Sequence, residues 1–168
     1  MMKQTSLSGF ITLCLLSFSF MVQAQIHNYS LESSADGISW QVFPQASPPL
    51  SGQQLSSQQV SLPEHVRGVV PGTVFTAYVE AGHEACPEYA DNIYKVDESK
   101  YNRPFWYVGT FSLPQQPSAH QQVWLCFDNI NKYADFYFNG HKISGSNTSE
   151  KDVKGHMLRS RFNVTHLY

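Results

Sequence analysis

Two runs of alternating residues that lead into a tight turn constrain the fold of this chain more than any other feature. Residues 123–128 and residues 133–138 each place apolar side chains at every second position, and Asn139-Gly140 follows the second run. A period of two puts each set on one face of a strand, and Asn-Gly favours a type I′ turn. The pattern therefore predicts two strands and a hairpin. The inward sets are Val123, Leu125 and Phe127, then Ala134, Phe136 and Phe138.

Residues 1–24 predict a cleaved signal peptide of bacterial type. Lys3 precedes an apolar run at residues 10–20, and Val22-Gln23-Ala24 is a small-residue cleavage pattern before Gln25. A membrane anchor is the alternative, but the run is shorter than the about 20 residues that a spanning helix needs. We therefore expect a periplasmic or secreted protein of 144 of the 168 residues, with no membrane contact after cleavage.

The composition excludes two classes of protein. The formal net charge is −2 and the chain has no basic block, so we expect no nucleic-acid partner. Aromatic residues make up 14% of the chain, which argues against disorder. The expected mature length suits one domain with a hydrophobic core.

The cysteines and histidines allow few specialised sites. Cys86 and Cys126 remain after cleavage, and an oxidising compartment would permit a disulfide between them. The alternative is that Cys126 is buried in its strand as a small apolar residue. The seven histidines show no zinc-site spacing, so we predict neither a metal nor a cofactor.

The rest of the chain predicts short strands, one helix and loops. Strands are expected at residues 37–43 and 105–113, with another beginning at 161, and polar loops at 44–60, 83–102 and 144–155. The helix is predicted over residues 73–81, with Gly82 as its C-terminal cap. Its apolar face contains Val74, Ala77, Tyr78 and Ala81. One helix among several strands predicts an all-β antiparallel sandwich without a second domain.

Taken in order, several segments resemble the N-terminal sugar-binding domain of glycoside hydrolase family 2. The similarity covers about residues 69–168 and is strongest to the exo-β-D-glucosaminidase and β-mannosidase branch. The matching segments are residues 70–82, 89–92, 105–107, 123–131, 134–135, 139–140 and 161–167. The resemblance implies a galactose-binding-like jelly-roll β-sandwich. In the family, immunoglobulin-like domains and a (β/α)₈ barrel with both catalytic glutamates follow this domain.

The resemblance also implies one more apolar strand after residues 162–165, whereas the chain ends at Tyr168. We therefore expect a jelly roll that lacks its closing strand, belonging to the N-terminal part of a longer enzyme. A retaining glycosidase uses two carboxylates about 5 Å apart. The family's acid/base glutamate follows an asparagine, and no Asn-Glu dipeptide occurs here, so no catalytic residue is assigned. We interpret Glu80 and Glu84 as solvated.

Four residues are candidates for substrate binding. The resemblance places Asp91-Asn92 in a loop near the active-site side of the domain, where carboxylate and amide groups can bind sugar hydroxyls. The alternative is that both residues only stabilise a turn. Trp106, like Tyr107, could stack on a sugar ring or pack in the core. Arg159 is expected at the same rim, as is Arg103.

Three functions fit these observations. The first is the non-catalytic N-terminal domain of a secreted β-glycosidase, with an oligosaccharide of β-linked glucosamine or mannose as its partner. The second is a freestanding carbohydrate-binding module without hydrolase activity. The third is a non-functional remnant of the same enzyme.

Overall fold

The structure, a computed structural model, describes residues 26–46, 49–144 and 153–168, without the side chains of residues 153–158. The predicted signal peptide lies outside the described residues. The prediction of an all-β domain is confirmed, because strands predominate over short helices. The strands are β1 Ile38–Pro44, β2 Val66–Arg67, β3 Phe105–Phe111, β4 Trp124–Ala134, β5 Tyr137–Phe138, β6 His141–Lys142 and β7 Val153–Asn163. The helices are α1 Gly52–Ser56 and α2 Val74–Glu80, with 3₁₀ turns at Asn92–Lys95, Glu98–Lys100 and Thr165–Leu167.

An antiparallel three-stranded sheet with the order β2-β1-β3 forms one part of the fold. The predicted strands at residues 37–43 and 105–113 are its long members, although β3 ends at Phe111. Val42 lies opposite Tyr107, and Phe43 lies opposite Trp106. Since opposite residues share a face, one face receives Val42 and packs with buried Val66 and with α2. The other face receives Phe43, which is completely buried.

The predicted helix is confirmed as α2, and local signals define both of its ends. The Thr73 side chain accepts a hydrogen bond from the Thr76 backbone N–H at 3.1 Å, as an N-cap residue does. At the other end Gly82 has φ +74° and donates its N–H to the Val79 carbonyl. The His83 N–H bonds the Tyr78 carbonyl, which completes a Schellman motif. Ala77 is buried against the sheet, as the apolar spacing predicted.

The polar segment predicted as a loop at residues 44–60 contains one short helix, α1, which the sequence did not predict. Leu55 is buried, and Gly52 lies directly against the Tyr137 ring. Helices as short as α1 are not stable alone. Packing against the β5–β6 hairpin stabilises this turn of helix, and the polar sequence carries no periodic signal for it.

Residues 124–134 form one long strand instead of the first of two paired strands. β4 pairs antiparallel with β7, and the pairing shifts register between Phe127 and Ile130 and again between Ile130 and Lys132. Such irregularities break the alternation of side chains. The strand β7 begins at Val153, and residues 161–163 form its end. The sequence had predicted that a strand begins at residue 161. The two-faced pattern before the irregularity is confirmed: Leu125 and Phe127 point inward, and Trp124 and Cys126 are exposed.

The predicted hairpin turn is confirmed at Asn139 and Gly140, with φ values of 45° and 84°. It joins β5 to β6, and each of these strands has only two residues. The Ile143 backbone N–H then bonds the Phe136 carbonyl at 2.9 Å. The hairpin thereby brings Ile143 into a second core with buried Phe162 and Val164. Neither α-helix in the described part of the chain is long or apolar enough to cross a membrane.

Candidate functional site

The polar segment between α2 and β3 is organised around Glu84. Its carboxylate accepts hydrogen bonds from Lys100 Nζ at 2.8 Å and from the Tyr101 hydroxyl at 2.9 Å. The Glu84 side chain is only 13% exposed. The interpretation of Glu84 as a solvated acid is therefore wrong, because the chain after Gly82 folds back over it. Glu80 is exposed, as expected.

Aromatic side chains attach this segment to the sheet. The Tyr101 ring is 6.3 Å from the Phe105 ring with an interplanar angle of 20°, and it meets the Phe75 and Tyr78 rings edge-on. The guanidinium carbon of Arg103 lies over the Phe105 ring, 5.8 Å from the ring centre. Edge-on and offset ring pairs stabilise beyond the area they bury. The segment therefore has a defined position despite its polar sequence.

Hydrogen bonding lowers the pKa of two carboxyl groups in this segment, Glu84 and Asp97. The bond from Lys100 lowers the pKa of Glu84, and the bond from the Ser99 hydroxyl lowers the pKa of Asp97. Burial, followed by the bond to Glu84, raises the pKa of the Tyr101 phenol. A general acid of a glycosidase requires a raised carboxyl pKa. Glu84 and Asp97 are shifted in the opposite direction, so both suit a carboxylate role.

Asp91 and Asn92 lie next to each other in an exposed turn after α2. Asp91 Oδ1 accepts from Lys95 Nζ at 2.6 Å, and both side chains are about two-thirds exposed (68% and 63%). The Asn92 amide donates to the Cys86 carbonyl at 3.0 Å. These bonds are the local turn contacts that the alternative interpretation expected. Sugar binding by the pair stays a prediction.

The same turn exposes large apolar side chains. Tyr94 is 90% exposed, Tyr89 74% and Ile93 59%. Exposed aromatic faces are suited to stacking on sugar rings, although single exposed apolar residues are also ordinary on protein surfaces. The sequence interpretation did not select these residues, because no periodicity in residues 83–102 separates exposed from buried positions.

Trp106 is placed between the sheet and the hairpin. Its ring centre is 6.0 Å from that of Tyr137, and its Nε1 is buried with no hydrogen-bond partner in the described structure. Its neighbour Tyr107 points to the opposite face, towards α2, and burial raises the pKa of that phenol to about 12. The surroundings of Trp106 and of Tyr107 are those expected for side chains packed in the core, and they differ from an exposed aromatic surface on which a sugar could stack. A sugar contact by Trp106 stays a prediction.

Arg159 lies on the exposed face of the β4–β7 pair. Its Nε is 3.5 Å from Asp128 Oδ1, and both side chains are largely exposed. Such surface pairs contribute little to stability. The four candidates thus have their described contacts in three different parts of the fold: the turn that contains Asp91 and Asn92, the contact of Trp106 with the hairpin, and the β4–β7 surface at Arg159. The contacts do not assemble them into one site.

Cys86 and Cys126 are free and exposed thiols in the structure. Neither expectation for them is met, since they form no disulfide and Cys126 is not buried. Cys126 alternates with the inward residues of β4 and faces solvent, whereas Cys86 lies in the turn after α2. In the described ranges, no three His, Cys, Asp or Glu side chains are grouped as a metal site would require.

Two clefts open on the described surface. One has a volume of about 360 Å³ and is lined by Glu98, Ser99, Tyr101 and Asn102. The other, of about 230 Å³, lies between residues 28–38 and the end of β3 at residues 111–114. The sequence interpretation identified neither of them. The first lies next to the Glu84 contacts and contains groups that donate and accept hydrogen bonds.

The family model described as "Glycosyl hydrolase 2 galactose-binding domain-like" matches residues 52–168. The chain belongs to this glycosyl hydrolase 2 family. The match includes the sheet strands β2 and β3, the β4–β7 pair, all of the first cleft and part of the second. The predicted galactose-binding-like fold agrees with this membership.

One relative adds detail about the family. The chain is 30% identical over 95 residues to the protein named exo-beta-D-glucosaminidase of Streptomyces avermitilis. The aligned part covers 56% of this chain and 10% of that protein, so the chain matches about a tenth of this relative. No solved structure shows significant similarity to the chain.

Proposed function

We propose that this chain acts as the non-catalytic sugar-binding domain of a secreted β-glycosidase. The enzyme would act on β-linked glucosamine or mannose, and immunoglobulin-like and barrel domains would complete it. The observation that carries the proposal is the match of the family over residues 52–168. The similarity to a protein named exo-beta-D-glucosaminidase supports the choice of sugar.

The carboxyl groups of the described residues support a role without bond cleavage. The downward pKa shifts of Glu84 and Asp97 keep both groups ionised, and Asp91 is paired with Lys95. These groups can accept hydrogen bonds from sugar hydroxyls. The lowered pKa values of Glu84 and Asp97 are opposite to the raised pKa by which a glycosidase acid donates a proton to its leaving group.

This proposal is tested by measuring both glycoside hydrolysis and oligosaccharide binding with purified protein of residues 25–168. We expect no release of chromophore from 4-nitrophenyl β-glucosaminide or β-mannoside, and weak, millimolar binding of glucosamine or mannose oligosaccharides by calorimetry. Turnover by the purified chain would overturn the non-catalytic role. The absence of heat with every oligosaccharide would overturn the sugar-binding role.

A freestanding carbohydrate-binding module is the second candidate, and the exposure of Tyr89 and Tyr94 favours it. The DNA sequence that follows the codon of Tyr168 distinguishes the glycosidase domain from the freestanding module. A continuation that encodes a (β/α)₈ barrel supports the glycosidase, and a gene without one supports the module.

A further inference from the structure

The hairpin turn contains a chemically labile pair of residues. Asn139-Gly140 is the single Asn-Gly dipeptide in the sequence. Asparagine is among the side chains that degrade most easily in water. A following glycine favours its deamidation, because glycine has no side chain to hinder the attack of its backbone nitrogen. Asn139 is exposed, so water reaches its amide group.

The reaction joins the backbone nitrogen of Gly140 to the side chain of Asn139. The nitrogen loses its proton to solvent and forms a bond to Cγ of Asn139, and the bond from Cγ to Nδ2 then breaks. Nδ2 takes up a proton from solvent and leaves as ammonia, and a succinimide ring remains. Water opens the ring at either of its carbonyl groups and leaves an aspartate or an isoaspartate at position 139. Water is the co-reactant, and no group is oxidised or reduced.

Hydrogen bonds from two distant segments hold both reacting groups. The Gly140 N–H donates to the Ser56 hydroxyl at 2.9 Å, and Asn139 Nδ2 donates to the Leu167 carbonyl at 2.9 Å. The first bond keeps the proton on the attacking nitrogen and fixes the plane of its peptide group. The second bond holds the amide group that has to leave. The reaction must therefore break both bonds.

The two segments that provide these acceptors are themselves attached to the fold. Ser56 is the last residue of α1, and a Cβ built on Gly140 would lie 3.3 Å from the Cβ of Ser57. Leu167 belongs to the last 3₁₀ turn, where its N–H bonds the Val164 carbonyl at 2.9 Å and its side chain packs against the second core. The state of the turn thus depends on residues 84 positions before Gly140 and 28 positions after Asn139.

We propose that Asn139-Gly140 is a deamidation site that the folded chain restrains through Ser56 and Leu167. Detachment of α1 or of the last turn allows the reaction to start. The product cannot form the original contact again, because a carboxylate has no N–H to donate and would face the Leu167 carbonyl with a negative charge. The modification therefore makes the opening of the last turn permanent. This inference is independent of the proposed sugar-binding function.

The test follows deamidation of purified protein of residues 25–168 in a mildly alkaline buffer, by peptide mass spectrometry that separates aspartate from isoaspartate at position 139. We expect the native wild type to react at least about tenfold more slowly than the same chain in urea. Ser56→Ala removes the acceptor of the Gly140 N–H, so we expect deamidation about fivefold faster than in native wild type.

Ser57→Ala is the matched control for Ser56→Ala. Both hydroxyl groups donate to a carbonyl within α1, Ser56 to Gln53 at 3.3 Å and Ser57 to Gln54 at 3.1 Å. Ser56 also accepts the Gly140 N–H. We therefore expect the deamidation rate of Ser57→Ala to stay within about twofold of wild type.

The effect of the modification is tested by hydrogen exchange at the Leu167 amide. Asn139→Asp replaces the donor with a carboxylate, so we expect this amide to exchange faster than in wild type. Asn139→Gly suits the positive φ of the turn and removes the donor without adding a charge. We expect a smaller acceleration in this variant.

Four results would overturn the inference. Equal deamidation rates in native and urea-unfolded wild type would refute restraint by the fold, and equal rates in Ser56→Ala and Ser57→Ala would refute the role of Ser56. A rate in Ser56→Ala that rises only in proportion to its unfolded fraction in urea denaturation would assign the effect to global unfolding. Unchanged exchange of the Leu167 amide in Asn139→Asp would refute the permanent opening. If Ser56→Ala does not fold, Leu167→Ala and its exposed neighbour His166→Ala take the places of the two serine variants, with the same readout.

Discussion

At the scale of single residues, the environment decides what a carboxylate does. Glu80 and Glu84 are four positions apart, and the sequence predicted that both would be solvated. Gly82, at φ +74°, ends the helix between them and turns the chain. Glu80 remains exposed, while Glu84 is covered by Lys100 and Tyr101. The partners of Glu84 are 16 and 17 residues away, beyond the reach of any local pattern.

Glu84 predicts a specific pH dependence of stability. Its pKa in the folded chain is lowered from its ordinary value of 4.5, chiefly by the hydrogen bond from Lys100. A lowered folded pKa contributes stability above the unfolded pKa, and that stability is lost as the pH falls through the folded value. We therefore expect Glu84→Gln to be less stable than wild type at pH 7, with the difference shrinking towards pH 3. Urea midpoints at the two pH values measure it.

Glu80→Gln serves as the matched control for this prediction. Because Glu80 is exposed at the end of α2, we expect this variant to follow wild type at both pH values. A difference between wild type and Glu84→Gln that stays constant from pH 7 to pH 3 would show that the loss comes from packing instead of charge.

At the scale of elements, the sequence was sufficient to predict a helix end or a turn wherever the hydrogen bonds that form it join residues close together in the chain. The N-cap at Thr73, the Schellman motif at Gly82 and the Asn139-Gly140 turn are all formed by residues a few positions apart. The cap at Gly82 and the Asn139-Gly140 turn were predicted correctly for that reason. α1 and the length of β4 were not, since α1 depends on Tyr137 and β4 is extended past its irregular positions by pairing with β7.

Gly52 is expected to be the residue that lets α1 approach the hairpin. A Cβ at this position would overlap the Tyr137 ring. Alanine gains about 0.5–1 kcal/mol over glycine within a helix, but overpacking typically costs about 1–3 kcal/mol. We expect Gly52→Ala to lower the free energy of unfolding by about 1 kcal/mol or more.

The control for Gly52→Ala is an exposed position of the same helix. Gln54→Ala adds helix propensity without contacting the hairpin, so we expect it to be neutral or slightly stabilising in urea denaturation. A Gly52→Ala variant as stable as Gln54→Ala would mean that α1 can move away from Tyr137 at no cost.

At the scale of the whole molecule, the fold distributes its candidate residues over separate surfaces. Cys86 follows α2 beside the three-stranded sheet, and Cys126 lies on the outer face of the β4–β7 pair. The candidate sugar-binding residues likewise lie in separate parts of the fold: Asp91-Asn92, Trp106 and Arg159. The sequence supplied the residue types that sugar recognition uses, and the tertiary arrangement assigned them to different neighbours.

The positions of the two cysteines give a prediction for the native protein. Both thiols are free and exposed, so we expect both to react with a thiol reagent without denaturant. Mature chain that has been reduced and freed of reductant should titrate two thiols, and Cys86→Ser or Cys126→Ser should each titrate one. Reaction of only one thiol in the native wild type, and of two after denaturation, would contradict the exposure of the other.

The all-β class, a helix close to α2 with its cap at Gly82, and the tight hairpin turn follow from the sequence, because short-range hydrogen bonds and the period of two govern these features. Only the folded chain shows which strands pair, where α1 forms, which acid is covered by partners and which polar side chains line a cleft. These outcomes depend on contacts between residues far apart in the chain, such as Gly52 with Tyr137 and Glu84 with Tyr101. The sequence of residues 124–142 is therefore enough to predict the turn at Asn139-Gly140. The sheet that contains β4 forms by pairing with β7, which lies later in the chain.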